Sequence, residues 1–239
     1  MAVWNPWHGC HKKSEGCLNC YMFRRDASVG RVSTIVQKTA EFHGLTARRR
    51  DGSYAIPSGE TVYACMTSDF FVEEADFWRP QIWDMIRERR DLRIRIITKR
   101  IERFRVGLPE DWGDGWDHVA LAATCENQKR TDERLPILLD LPLRHREMIC
   151  EPMLEAVDAR QYLSSGLIER VVCGGESGDG ARECRYEWIL GVREQCRDAG
   201  VPFHFKQTGA NFVKDGKRYA IPRPLQMEQA RRAGIDLPG

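Results

Sequence analysis

At 239 residues, 42% hydrophobic and 30% charged, the chain has the balance of a globular protein with room for one large α/β domain or two small ones. Its 37 Lys plus Arg against 35 Asp plus Glu leave a formal charge of +2, so the whole-molecule field does not announce a polyanion as partner. No apolar run approaches the roughly 18 residues of a membrane span, so no membrane partner is expected.

The first element is a short strand ending at Val3 and Trp4. It runs into Trp4-Asn5-Pro6-Trp7-His8-Gly9-Cys10, a six-residue spacer, and Cys17-Leu18-Asn19-Cys20-Tyr21. Gly9 and Gly16 precede two of the cysteines, and glycine lets a backbone fold tightly enough to aim several sulfurs at one point. Two metals suit three thiolates in such a loop. Zinc takes four ligands, and His8 or His11 would supply the fourth. An iron–sulfur cluster takes thiolates alone, and three of them leave one iron open to a substrate or cofactor. The spacing leaves both open. Cys20 to Ala27 then reads as a helix, and residues 28–60 as an irregular excursion or hairpin that would serve as a lid.

From residue 60 short apolar runs alternate with helical patterns. Thr61 to Cys65 is a strand, followed by a helix over Glu73–Arg90 with apolar residues at Phe77, Ile82, Trp83 and Ile86. Arg93 to Ile97 is the next strand, with a short helix to Phe104, then Val119 to Ala123 with a helix through Leu139. Strands at Arg146–Ile149 and Val171–Cys173, a helix over Tyr186–Ala199 and a strand at Pro202–Phe205 complete the pattern. Such alternation predicts an α/β fold of parallel strands with outer helices. The expectation is a partial (β/α) TIM-like barrel of about six to seven strands, with the cysteine loop after the first. It would fill residues 1–209; residues 210–239 would be a C-terminal extension with a turn at Gly216 and a basic tail.

Polar residues recur where each apolar run stops, and in parallel α/β folds the chemistry gathers at strand C-terminal ends. Here they are Ser68 and Asp69, Thr98, Lys99 and Arg100, Glu126 and Asn127, Glu151, Glu176 and Ser177, then Lys206 and Gln207. Of the nine cysteines, Cys65, Cys125, Cys150 and Cys173 lie in or beside apolar runs and read as small buried hydrophobes, while Cys184 and Cys196 look incidental. An odd count with no secretory leader ahead of Cys10 suggests reduced thiols and a cytoplasmic protein. Gly174-Gly175-Glu176-Ser177-Gly178 lacks the Lys-Ser/Thr of a phosphate-binding loop. Trp78, Trp83 and Trp188 fall on helical patterns and read as packing; Trp4 and Trp7 flank the cysteine loop and would shield whatever it holds.

Taken together, the segments Trp4–Cys10, Gly16–Tyr21, Thr67–Phe71, Ile97–Arg100, Cys125–Gln128, Glu151–Met153, Gly174–Gly178 and Phe205–Gly209 resemble a phage- and prophage-borne family of three-cysteine proteins related to radical S-adenosylmethionine enzymes. The usual spacing of that superfamily is Cys-x3-Cys-x2-Cys, whereas the first gap here is six. The resemblance implies that Cys10, Cys17 and Cys20 ligate a four-iron four-sulfur (4Fe-4S) cluster whose open iron binds S-adenosylmethionine. Reductive cleavage would give a 5′-deoxyadenosyl radical that takes hydrogen from the substrate. It further implies that Ser68 and Asp69 meet the cofactor's amino group, Lys99 or Arg100 its carboxylate, and Glu126 or Asn127 its ribose. Glu151, Glu176, Ser177, Lys206 and Gln207 would face the substrate. The implied partners are an electron donor such as flavodoxin or ferredoxin and a modified pyrimidine in phage DNA, with isomerisation of an amino-acid adduct on thymine as the reaction. A small metabolite or peptide is the alternative substrate. A non-catalytic zinc or iron–sulfur interaction module is the alternative function. The bunched arginines at Arg48–Arg50, between Arg87 and Arg105, and at Arg231-Arg232 would serve phosphates or simply a solvated surface.

Overall fold

The computed structural model describes residues 1–239. The chain opens with β1 (Ala2–Trp4), β2 (Trp7–His8), α1 (Tyr21–Ser28) and β3 (Gln37–Lys38). It continues through β4 (Thr61–Ala64), α2 (Arg79–Glu88), β5 (Arg93–Thr98), β6 (Val119–Thr124), α3 (Gln128–Asp140) and β7 (His145–Cys150). Then come α4 (Arg160–Leu163), β8 (Ile168–Gly174), β9 (Cys184–Arg185), α5 (Tyr186–Ala199) and β10 (Phe203–Gln207). A hairpin of β11 (Asn211–Lys214) and β12 (Lys217–Ala220) and a final helix α6 (Arg223–Arg232) end it. Seven strands form one parallel sheet in the order β1-β4-β5-β6-β7-β8-β10, and the fold is α/β as the alternation requires. β7 is buried from Arg146 onward, the near-continuous burial of a strand covered on both faces. No helix is long and apolar enough to cross a membrane.

The chain divides into two compact units. Met1–Lys13, Met22–Ala122 and Pro142–His145 make the first. Its core is aromatic: Trp7 lies 5.7 Å from Phe70, Phe70 5.0 Å from Trp83, and Trp83 5.2 Å from Trp112. Trp83 is packing, as the helical spacing predicts. Trp7 is fully buried within this cluster, with its indole N–H 3.3 Å from the Asp69 carbonyl. The helix expected from Glu73 starts at Arg79 instead, and Glu73–Ala75 is a single 3-10 turn. Pro80 explains the shift, since a proline ring is tolerated only in the first turn of a helix.

Residues 28–60 hold more core than their pattern suggests, for Phe42 and Leu45 are buried. β3 pairs with β2, matching Trp7 with Lys38 and His8 with Gln37. Arg89, fully buried, ties the excursion to the end of α2. Its guanidinium donates to the carbonyls of Leu45 (2.6 Å) and Ile56 (2.7 Å) and pairs with Asp91 at 2.9 Å.

The second unit comprises Ser14–Tyr21, Ala123–Leu141 and Arg146–Gly239. Here β7 and β8 pair in register through Cys150 and Cys173, and β10 pairs with β8. A three-stranded sheet, β12-β11-β9, places Phe212 6.1 Å from Phe205 and 5.9 Å from Tyr186. The stretch read as a basic tail contains α6, which turns Gln226 and Ala230 inward.

Replacing Arg89 with Ala strands two carbonyls and a carboxylate, and unfolding in urea should show a loss of about 3 kcal/mol. The same guanidinium holds Asp91 at about 2, below its ordinary 3.8. A carboxylate with a lowered folded pKa stabilises above its ordinary value and loses that contribution as the pH falls through the folded one. The wild type should therefore lose stability between about pH 4 and pH 2 through this pair, and the slope should flatten in Arg89→Ala.

Candidate metal-binding and cofactor site

In the first unit the strand end after β4 and the tip of β5 hold the Cys10 segment. Gly9 has φ +99°, and a Cβ there would meet the Ile35 carbonyl oxygen at 2.2 Å, so only glycine fits. The Gly9 amide donates to Thr67 O (3.2 Å), the Cys10 amide to Ser33 O (2.8 Å), and the Ser68 hydroxyl to the Gly9 carbonyl. Arg100 donates to the His11 carbonyl at 2.7 Å and places Nη1 3.8 Å from Cys10 Sγ, positive charge of the kind that stabilises a thiolate ligand. That guanidinium is oriented by Asp69 at 3.5 Å. Asp69 is buried and also accepts from Thr98 Oγ1 (2.7 Å), the Lys99 amide (2.9 Å) and the Phe71 amide (3.0 Å). Ser68, Asp69 and Arg100 are thus gathered around Cys10. Cys65, just past β4, has φ +60°, a strained conformation of the sort that clusters at functional sites.

Both histidines of the loop are engaged through Nε2. His8 lies 2.9 Å from Asp26, and His11 2.5 Å from Glu74. Burial raises the Asp26 pKa, but the bonds from His8 and Ser33 outweigh it and hold it below the ordinary value.

In the second unit the segment carrying Cys17 and Cys20 is fastened by strand-end carboxylates. Glu126 is fully buried. It accepts from the Ser14 hydroxyl and the Gly16 amide (3.3 Å), and pairs with Arg134 at 2.7 Å. A Cβ on Gly16 would meet Glu126 Oε1 at 2.9 Å, so the second loop glycine makes room for this carboxylate. Asn127 caps α3, accepting from the Arg130 amide, and Arg130 clasps Glu15 at 2.9 Å. Glu176 accepts from Asn19 Nδ2 (2.9 Å) and from Arg182 through its amide (3.0 Å) and guanidinium (2.5 Å). Burial pushes the Glu176 pKa up, yet Arg182 and Asn19 prevail and hold it below its usual value, ionised at neutral pH.

Glu151 stands apart from this clamp. Its carboxylate pairs with Lys206 Nζ at 2.7 Å and accepts from Gln207 Nε2, and the Lys206 side chain is 38% exposed. Ser177 is half-buried beside Glu176. Tyr21 follows Cys20 directly. The glycines of the 174–178 loop serve packing: a Cβ on Gly175 would meet the Thr208 carbonyl oxygen at 2.2 Å.

The sequence reading missed Ser14, Asn19, Arg134 and Arg182 as parts of this site. Their partners lie 112, 157 and 8 and 6 residues away, respectively, and no local pattern marks them. The arginines between positions 87 and 105 prove largely internal in use: Arg87 pairs with Asp84 and Asp111, and Arg103 with Asp76. Lys99 differs, being half-exposed at the tip of β5 with no ion pair for its ammonium. No three His, Cys, Asp or Glu side chains are gathered closely enough to hold a metal ion as they stand.

A family model described as "Protein of unknown function (DUF5131)" matches residues 1–238. No curated protein and no solved structure matches the chain.

Replacing Glu126 with Gln keeps the shape but leaves the Arg134 charge buried without a counter-ion. It should lower stability by about 3 kcal/mol in urea and expose residues 14–17 to limited proteolysis before the rest of the chain.

Proposed function

We propose that this chain, which belongs to the DUF5131 family, is a radical S-adenosylmethionine enzyme in which Cys10, Cys17 and Cys20 hold a 4Fe-4S cluster. One observation carries the reading. Of nine thiols, Cys65, Cys125, Cys150, Cys173, Cys184 and Cys196 are each no more than 2% exposed, while the three of the N-terminal loop are half-exposed. All six inner thiols are raised, Cys150 first by its hydrogen bond with Cys173 and the other five first by burial, which marks them as inert packing. The three outer thiols alone can take up a metal from solution.

The donor set suits such a cluster by its chemistry: three sulfurs, a guanidinium beside one of them, and histidines whose Nε2 atoms already face carboxylates. When bound, such a cluster would supply the electron for reductive cleavage of S-adenosylmethionine. The seven parallel strands would frame a partial (β/α) barrel. Lys99 offers its unpaired ammonium to the cofactor's carboxylate. Ser68 and Asp69 brace the Cys10 segment and aim Arg100, while Glu126, Asn127 and Glu176 brace the Cys17–Cys20 segment and are positioning residues. The half-buried pair of Glu151 and Lys206 is left for substrate, where Lys206 Nζ holds a proton for a group that changes charge during the reaction.

The substrate in this reading is a modified pyrimidine in phage DNA, with rearrangement of an amino-acid adduct on thymine as the reaction, in the cytoplasm of a bacterial host. Support comes from exposed cations beside an aromatic, at Lys217, Arg218 and Tyr219 on β12. Reaching a base in a duplex would require turning it out of the stack.

Anaerobic reconstitution should give a brown protein with about four irons per chain that forms 5′-deoxyadenosine on adding S-adenosylmethionine and dithionite. Cys17→Ala should lose both colour and cleavage. Lys99→Met should keep the colour and weaken S-adenosylmethionine binding by about tenfold or more, measured by titration of the cluster's EPR signal. A colourless protein holding one zinc per chain would overturn the proposal in favour of an interaction module.

A further inference from the structure

One surface of the first unit is unlike the rest. After the buried face of α1 the chain exposes Val29 (70%), Val32 (59%) and Ile35 (58%) in a row, three aliphatic side chains with no cover. Arg25 and Arg31 are exposed in the same stretch. Lys12 sits over the Phe23 ring at 5.3 Å, which brings its charge to the edge of α1. Between residues 22 and 38 the one acidic side chain is Asp26, buried against His8. The face is therefore apolar at its centre and basic around it.

Its placement gives it meaning. This same stretch lies on the Cys10 loop: the Cys10 amide donates to the Ser33 carbonyl at 2.8 Å, and the Ile35 carbonyl oxygen packs so close to Gly9 that no Cβ would fit. A molecule seated on Val32 and Ile35 would be separated from the Cys10 segment by one layer of chain.

We infer that this face docks an acidic, low-potential one-electron carrier protein, which delivers its electron through the 29–36 segment toward Cys10. The inference rests on the cluster assignment under Proposed function, since that chemistry consumes one electron per cleavage and the chain itself carries no donor for it. Charge selects the occupant. A second copy would set basic face against basic face, and like charges across an interface repel. Nucleic acid would find phosphate partners here, but at the centre of the face only valines and an isoleucine, with no ring there to stack a base on. An acidic protein gains both from its charge and from the aliphatic centre, and redox partners use small, transient surfaces of this kind.

The test compares two reductants on the reconstituted holoprotein. Bleaching of the cluster absorbance is followed by anaerobic stopped flow with photoreduced bacterial flavodoxin, and separately with dithionite. The variants are Arg25→Glu with Arg31→Glu, and Val32→Ser alone. Reversing the two charges should slow reduction by flavodoxin about tenfold or more and remove its dependence on salt. Val32→Ser should slow it with the salt dependence kept. Both variants should match the wild type with dithionite, which needs no docking surface. Unchanged flavodoxin rates, or equal slowing with both reductants, would overturn the inference. So would loss of duplex-DNA binding in the charge-reversed variant with flavodoxin reduction intact, which would make this a nucleic-acid surface. A wild type that dithionite cannot reduce fails at the cluster assignment, a result distinct from failure at the surface alone.

Discussion

A carboxylate buried at the end of a strand has no water to satisfy it and must be met by donors from the chain. The cysteine segments of this protein are where they are because they help to meet that demand. Glu126, fully buried, draws in the Ser14 hydroxyl and the Gly16 amide, and Glu176 draws in Asn19. In the first unit the effect runs through one intermediary, for Asp69 orients Arg100 and Arg100 grips the His11 carbonyl beside Cys10. Remove these acids and the loops lose their anchors, whatever metal they meet. The polar strand ends thus act chiefly as fasteners, while Lys99 carries no ion pair and Glu151 and Lys206 pair with one another.

The alternation of strands and helices was readable because burial writes itself into local runs. β4, β6, β7 and β8 carry runs of consecutive apolar residues, and β5 and β10 alternate apolar with polar ones, either of which announces a strand. β9 has two residues and β12 is exposed throughout, so neither leaves a mark in the pattern. Helix starts were read less well. The apolar spacing of α2 extends back to Phe77, yet Phe77 is 92% exposed and Pro80 sets the true beginning. Within the site, position was legible and role was not. Glu126 and Glu176 stand out as acids after buried strands, but whether such an acid faces a ligand or its own chain depends on contacts across more than a hundred residues.

The partition of the thiols ties composition to chemistry. Nine cysteines in a chain of this length invite the idea of disulfides, and the six inner ones answer it by behaving as small hydrophobes under helices and strands. Cys150 and Cys173 sit side by side on neighbouring strands with both thiols pushed up by their surroundings, a poor setting for attack on anything. The half-exposed thiols are those of the loop.

The clamp around Gly16 bears on how the protein behaves with its loop empty. A small zinc-folded module collapses when stripped, because the metal supplies its folding energy. Here the loop segments are held by Arg134, Arg182, Ser14 and Asn19, and the two cores are built from rings and aliphatic side chains that owe nothing to a metal. In the proposed reading, a preparation whose cluster air has destroyed would keep its shape, melt cooperatively and pass for intact material while being chemically inert.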